Sequence, residues 1–206
     1  MNEYIKGGII GLSQVIVGHP FDTLKTLVQS KTYVKITPSI LWRGISYPLA
    51  MSTVCNSIIF GTYNESRKYT ESDFVAGATA GLISSFIINP FDLYKIRKQI
   101  GHTNSINLTT GLPLTMARES IACGIYFNTY NVLKKNNYDA FLSGGVAGTT
   151  SWILTYPIDT LKTRVQSGMS LSKSISQRKY WVGISYCIIR AFIANGTGFK
   201  VYESLQ

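Results

Sequence analysis

Pro20-Phe21-Asp22-Thr23-Leu24-Lys25 returns as Pro90-Phe91-Asp92-Leu93-Tyr94-Lys95 and again as Pro157-Ile158-Asp159-Thr160-Leu161-Lys162, at separations of 70 and 67 residues. A period of that length marks three copies of one structural unit. Thirteen residues before each proline begins a G-x-x-x-G: Gly7 and Gly11, Gly77 and Gly81, Gly144 and Gly148. Small residues one turn apart let two helices approach closely, so these stretches belong to the packing face of the first helix of each unit. Farther along stand Gly44, Gly111 and Gly183, each followed 19 residues later by a tyrosine, Tyr63, Tyr130 or Tyr202. The constant 19 predicts one uninterrupted helix. The distance from proline to that glycine varies instead, at 24, 21 and 26 residues, as a surface connection does between fixed helices. The chain therefore reads as three helix-connection-helix repeats, 1–70, 71–137 and 138–206, with helices predicted over 4–30, 45–68, 73–100, 112–135, 139–167 and 184–205.

Residues 44–63 and 140–158 contain no charged side chain, and each run is long enough to cross a hydrocarbon core of about 30 Å as a helix. Mean hydropathy is only +0.12, low for helices bathed in lipid all round but expected of helices that each turn a polar stripe toward an internal path. The fold class is thus an all-α membrane protein with six transmembrane helices. A net charge of +10 raises nucleic acid as a partner, but its placement argues otherwise. Segments 25–43, 95–110 and 162–180 hold 12 of the 20 Lys and Arg and none of the 10 acids, a bias that orients a membrane protein. These basic connections share one side, and six spans place both termini on the other. Cys55, Cys123 and Cys187 stand singly in apolar stretches without metal or disulfide spacing, so no metal or cofactor is expected. No nucleophile-base pair or phosphate loop points to an enzyme.

Proline inside a helix removes a hydrogen bond and bends it, so Pro20, Pro90 and Pro157 are expected to kink the three odd-numbered helices where they converge. Just past each proline come an acid and, three residues later, a lysine on the same helix face: Asp22 and Lys25, Asp92 and Lys95, Asp159 and Lys162. Three such helices around an axis can close a ring in which each lysine meets a neighbour's aspartate. The expected pairs are Lys25 with Asp92, Lys95 with Asp159, and Lys162 with Asp22. Charges at membrane depth are costly unless paired, so such a ring is a plug. Gln29, Gln99 and Gln166 follow one turn beyond each lysine, where they can hydrogen-bond beneath the pairs.

The full pattern, P-x-D-x-x-K-x-R-x-Q in triplicate, resembles the signature of the mitochondrial carrier family. Arg97 and Arg164 complete the second and third copies, while Leu27 stands in the arginine's place in the first. Leu41-Trp42-Arg43-Gly44 and Gly124-Ile125-Tyr126-Phe127 also fit, and the resemblance covers nearly the whole chain. It implies antiport by alternating access across the mitochondrial inner membrane, a monomer surrounded by lipid such as cardiolipin, and a matrix-side gate at the proline motif.

The family's other gate is an aromatic-acid-x-x-base motif on the even-numbered helices. Here it reads Tyr63-Asn64-x-x-Arg67, Tyr130-Asn131-x-x-Lys134 and Tyr202-Glu203-x-x-Gln206. If each base meets the next helix's acid position, Lys134 with Glu203 is ionic, whereas Arg67 meets Asn131 and Gln206 meets Asn64. This gate is expected to be the weaker one and to rest open. Thirteen residues before Asn64, Asn131 and Glu203 lie Met51, Arg118 and Arg190, with Glu119 following Arg118. Arginines offer bidentate sites for a carboxylate and the glutamate a site for an ammonium group. Pairing of Arg118 with Glu119 is not expected, because adjacent residues on a helix diverge.

Gly18-His19-Pro20-Phe21-Asp22-Thr23, Asn56-Ser57-Ile58-Ile59-Phe60-Gly61 and Arg190-Ala191-Phe192-Ile193-Ala194-Asn195 are similar to the carnitine/acylcarnitine, ornithine and basic amino acid branch of that family. The substrate expected is an amino acid or carnitine-like small molecule. A nucleotide carrier, or a scaffold that keeps the fold without transport, are the alternatives, separable by exchange measurements in liposomes.

Overall fold

The computed structural model of the protein describes residues 2–29, 42, 45–99, 107–178, 180–181 and 184–206, with the side chains of 21–29, 46–47, 94–99 and 186 outside that description. Six long helices fill it: α1 Glu3–Gln29, α2 Ser46–Ser66, α3 Asp73–Gln99, α4 Leu112–Lys135, α5 Ala140–Gln166 and α7 Ile184–Ser204. Their ends fall within two residues of those predicted. Helices α1, α3 and α5 run through Pro20, Pro90 and Pro157 without ending. A six-residue helix, α6 Leu171–Ser176, lies in the third connection. It is tied back to α5 where Arg164 Nη1 donates to the Ser174 carbonyl (2.8 Å). Gly111, in the left-handed region at φ 75°, starts α4; a Cβ there would come within 2.9 Å of the Gln166 side chain.

Each long helix packs on its neighbours in the chain, and α7 returns to pack on α1, closing a ring. The tightest contacts fall within successive pairs. A Cβ on Gly7 would stand 2.5 Å from the Asn56 carbonyl oxygen, one on Gly77 2.5 Å from that of Cys123, and one on Gly144 2.7 Å from that of Asn195. Backbone meets backbone at these points, which is what the small-residue spacing was read to permit. Alanine in a helix interior is ordinarily better than glycine by about 1 kcal/mol. At Gly77 the close carbonyl reverses that sign. We expect Gly77→Ala to lower Tm by about 2 to 12 °C, from an overpacking cost of roughly 1–3 kcal/mol; a rise, measured by thermal unfolding in detergent, would place that carbonyl farther away.

Polarity is inverted relative to a water-soluble bundle. Leu82, Ile83, Phe86, Leu154 and Ile189 are exposed on the outside, while Ser84, Ser85, Asn89, Thr115, Glu119, Thr155, Lys162 and Gln166 are buried inside. Such an exterior fits hydrocarbon rather than water. Among the described residues one stretch, Asp73–Leu93 of α3, is apolar enough to cross a membrane by its own composition, with a mean hydropathy of 1.5. The inward polar residues hold the other helices below that level.

Candidate functional site

Two layers of the ring interior carry the chemistry. The first lies where α3, α4 and α5 face one another. Lys162, its side chain 4% exposed, donates from Nζ to Asp92 Oδ2 at 2.6 Å and lies 3.7 Å from Glu119 Oε1. Glu119 also accepts from Arg118 Nη1. Arg118 sits with its guanidinium 4.6 Å from the centre of the Trp152 ring and its Nε 3.6 Å from Asp159 Oδ1. Charges as deep as Arg118, Glu119 and Lys162 persist only when paired, and here they pair with one another and with the more exposed Asp92 and Asp159.

Two expectations are corrected in this layer. Lys162 meets Asp92, so the α5 lysine turns to the preceding odd helix, while Asp22, expected on Lys162, and Lys25, expected on Asp92, have side chains outside the described residues. Identical i, i+3 motifs say that a lysine can reach a neighbour, while the hand of the ring decides which one. Arg118 does pair with Glu119. Divergence of adjacent Cβ atoms does not bind the tip of a long side chain, and Trp152 and Asp159 hold this guanidinium over the acid. Gln166 Nε2 donates to Asn89 Oδ1 (3.0 Å) instead of bonding beneath the ion pair. Asn89, fully buried, in turn donates to the Leu108 carbonyl (2.7 Å) and accepts from Thr115 Oγ1 (2.8 Å). The side chains of Asp22, Lys25, Gln29, Lys95 and Gln99 fall outside the described residues. Met51 is half-buried on α2, and Arg190 lies beside Gly18 of α1, its Nε 3.7 Å from where a Cβ would stand.

The second layer is nine residues away along α4, about 14 Å. Phe60, Phe127 and Phe199, one from each even-numbered span (α2, α4, α7), are at most 2% exposed. The Tyr63 ring stacks on Phe127 at 3.8 Å, Tyr130 stacks on Phe199 at 3.5 Å, and Tyr202 tilts against Phe60 at 5.4 Å. Each tyrosine thus covers the next helix's phenylalanine in a closed cycle. The phenylalanines were missed from sequence although each stands three residues before its tyrosine, a spacing that an apolar helix would show anyway. Outside this floor opens a cavity of about 520 Å³ whose wall includes Asn64, Arg67, Asn131, Lys134, Lys135 and Gln206. Between the two layers Tyr126 Oη and Gln14 Nε2 both donate to Asn195 Oδ1, each at 3.2 Å.

Around the cavity, Lys134 donates to Glu203 Oε1 (2.6 Å). The other two expected pairs are corrected. Arg67 is taken by Asp73 (3.1 Å), and Asn131 Nδ2 donates instead to Tyr63 Oη (2.6 Å). Asn64 Nδ2 donates to Glu3 Oε2 (3.1 Å), while Gln206 lines the cavity. In this structure the end expected to rest open is packed shut, because stacked rings close it independently of ionic motifs. Asp139, at the N-cap of α5, accepts from Phe141 N (2.8 Å) and from Lys200 Nζ (2.9 Å). Lys200, and then that backbone N–H, hold the Asp139 carboxyl below its ordinary pKa.

Similarity to known proteins follows the same lines. The chain is 29% identical over 263 aligned positions to the mitochondrial arginine transporter BAC2 of Arabidopsis thaliana, covering 98% of this chain and 89% of that one. It is 27% identical over 245 positions to the mitochondrial basic amino acids transporter of Homo sapiens, covering 94% and 79%. With solute carrier family 25 member 45 of Mus musculus it shares 26% over 282 positions, covering 100% and 98%. These alignments run longer than 206 residues, so the relatives carry segments that this chain lacks. The sequence profile described as mitochondrial carrier protein matches residues 68–110 and 134–206, more than half of the chain. The chain belongs to the mitochondrial carrier family and is a solute transporter of the mitochondrial inner membrane, not an enzyme.

Proposed function

We propose that the protein exchanges a basic amino acid, arginine or a close analogue, by alternating access through the ring interior. The observation that carries this is the cluster of Arg118, Glu119 and Lys162 in the ring interior, joined by the more exposed Asp92 and Asp159. Arg118 suits the solute's carboxylate and Glu119 its ammonium or guanidinium group, each now occupied by the other. The names of two relatives, an arginine transporter and a basic amino acids transporter, favour the same class.

In this reading residues 1–70, 71–137 and 138–206 are three repeats, and their six long helices cross the membrane as a monomer in a lipid surround. Both termini lie on the intermembrane-space side. The aromatic layer gates that side, and the Asp92–Lys162 layer gates the matrix. A solute that binds Arg118 and Glu119 parts them, and Glu119, 3.7 Å from Lys162, ties that solute to the lysine that holds Asp92. Binding and gate opening thereby share one lysine, so that solute binding offsets the cost of parting the pair.

Purified protein in liposomes loaded with arginine should take up labelled arginine and lysine with saturation, and should do so far faster than when the liposomes are empty. Uptake of nucleotides alone overturns the substrate class. Absence of exchange for arginine, lysine, carnitine and nucleotides alike removes the transport mechanism in favour of a static scaffold.

A further inference from the structure

At two of the three even-helix ends the acid of the outer motif is replaced by asparagine, Asn64 and Asn131, and at the same two places a carboxylate arrives from another helix. Tyr63 Oη donates to Asp73 Oδ1 at 2.8 Å, Arg67 Nε lies 3.1 Å from that oxygen, and Asn131 bonds the same tyrosine oxygen. Asp73 belongs to the first turn of α3 and its side chain is 9% exposed. On the opposite side of the ring Glu3, in the first turn of α1, accepts from Asn64 Nδ2 at 3.1 Å and from Tyr202 Oη at 3.4 Å. That interface has also lost its base, since position 206 is glutamine. Lys6 stands in, pairing with Glu3 at 2.7 Å and lying 5.8 Å from the Tyr202 ring centre, within cation-π range.

The third interface shows the complement. It keeps both partners of the motif, Lys134 and Glu203, and among the described residues no odd-helix acid bonds them directly: Lys200 stands between, 3.8 Å from Glu203 Oε2 and 2.9 Å from Asp139 Oδ1. Asp139 is its nearest counterpart, but it stands 18 residues before its proline where Glu3 and Asp73 stand 17 before theirs. One residue out of register, it caps α5 and takes Lys200 instead of reaching Tyr130.

We propose that Glu3 and Asp73 are gate residues: the carboxylates missing from positions 64 and 131 have been moved onto the first turns of α1 and α3, so the outer gate holds an acid at every interface. The proposal rests on the reading of the even-helix ends as a gate. Its signature is transferability, because a carboxylate restored to the even helix makes the odd-helix one dispensable. A merely structural acid at a helix start does not behave this way, since its interaction with the helix dipole is local.

The test uses the full chain, as Asp73→Asn and Glu3→Gln, each made alone and in the presence of Asn131→Asp and Asn64→Asp respectively. Thermal stability in detergent and arginine exchange in liposomes are both read. Alone, Asp73→Asn should lower Tm by about 3 to 6 °C and exchange by about tenfold. Beside Asn131→Asp the same change should cost less than a third as much, and the Glu3 and Asn64 pair should behave alike. Equal losses in both backgrounds, in a parent that exchanges, overturn the inference and leave the transport reading standing. A parent without exchange removes the reading beneath it instead.

Discussion

Replacing Lys162 with methionine should destabilise the carrier and stop exchange together. The substitution keeps the side chain's bulk but leaves Glu119 and Asp92 without their shared cation in a site where Glu119 is only 4% exposed. Removing one partner of a buried pair costs about 3–5 kcal/mol, which for a chain of this size lowers Tm by roughly 6 to 20 °C. A loss of that size is a large fraction of a protein's net stability. Lys162→Arg keeps the charge and should retain most of the stability, separating ion pairing from packing. The decisive comparison is between two exchanges of charge. Asp92→Lys with Lys162→Asp should restore exchange above either single change, and Asp22→Lys with Lys162→Asp should not. Rescue through Asp22 alone would reinstate the pairing expected from sequence and remove the hand described above.

The second large effect is expected at Phe127, whose ring meets Tyr63 at 3.8 Å and Phe60 at 5.3 Å in the centre of the aromatic layer. Truncation of a buried phenylalanine to alanine costs about 3–5 kcal/mol. Because these contacts exist when that end is shut, the cost falls mainly on the closed state, shifting the ratio of open to closed by more than about a hundredfold. A cysteine placed at Asn195, one turn deeper on α7, reports the change in a background with Cys55, Cys123 and Cys187 replaced by serine. Labelling by a water-soluble maleimide from the face where α2, α4 and α7 end should accelerate at least about tenfold with Phe127→Ala. Phe141→Ala, which removes a ring packed edge-on to Phe192 between α5 and α7, serves as the control and should not accelerate it. Equal acceleration by both would mean that general loosening, rather than the layer, controls access.

What the sequence disclosed and what it withheld divide along a physical line. Prolines, glycines and repeat spacing act within one helix or between adjacent ones, and they placed both ends of six helices to within two residues. The acids and bases of the proline motif and of the even-helix ends were also visible, as were Arg118 and Glu119. Which partner each would take was not, because the motif makes Asp22 and Asp92 equivalent candidates for Lys162. Arg67 illustrates the same difficulty. Its expected partner, Asn131, was chosen by analogy among even helices, whereas a real carboxylate six residues away across the turn into α3 outcompetes an amide for a guanidinium. Glu3 and Asp73 do share one offset from their prolines, so a signal existed. The slipped position of Asp139 hid it from a search for threefold agreement.

The contacts at Gly7, Gly77 and Gly144 have a mechanical corollary. Where main chain lies on main chain, two helices cannot slide without collision, so α1 with α2, α3 with α4, and α5 with α7 behave as three rigid staves. The joints between staves are of another kind: Tyr63 to Asp73, Ser151 Oγ to the Ala122 carbonyl (3.0 Å), and Tyr202 to Glu3. Such bonds can break and re-form at little net expense, like the hoops of a cask loosened at one rim while the other is tightened.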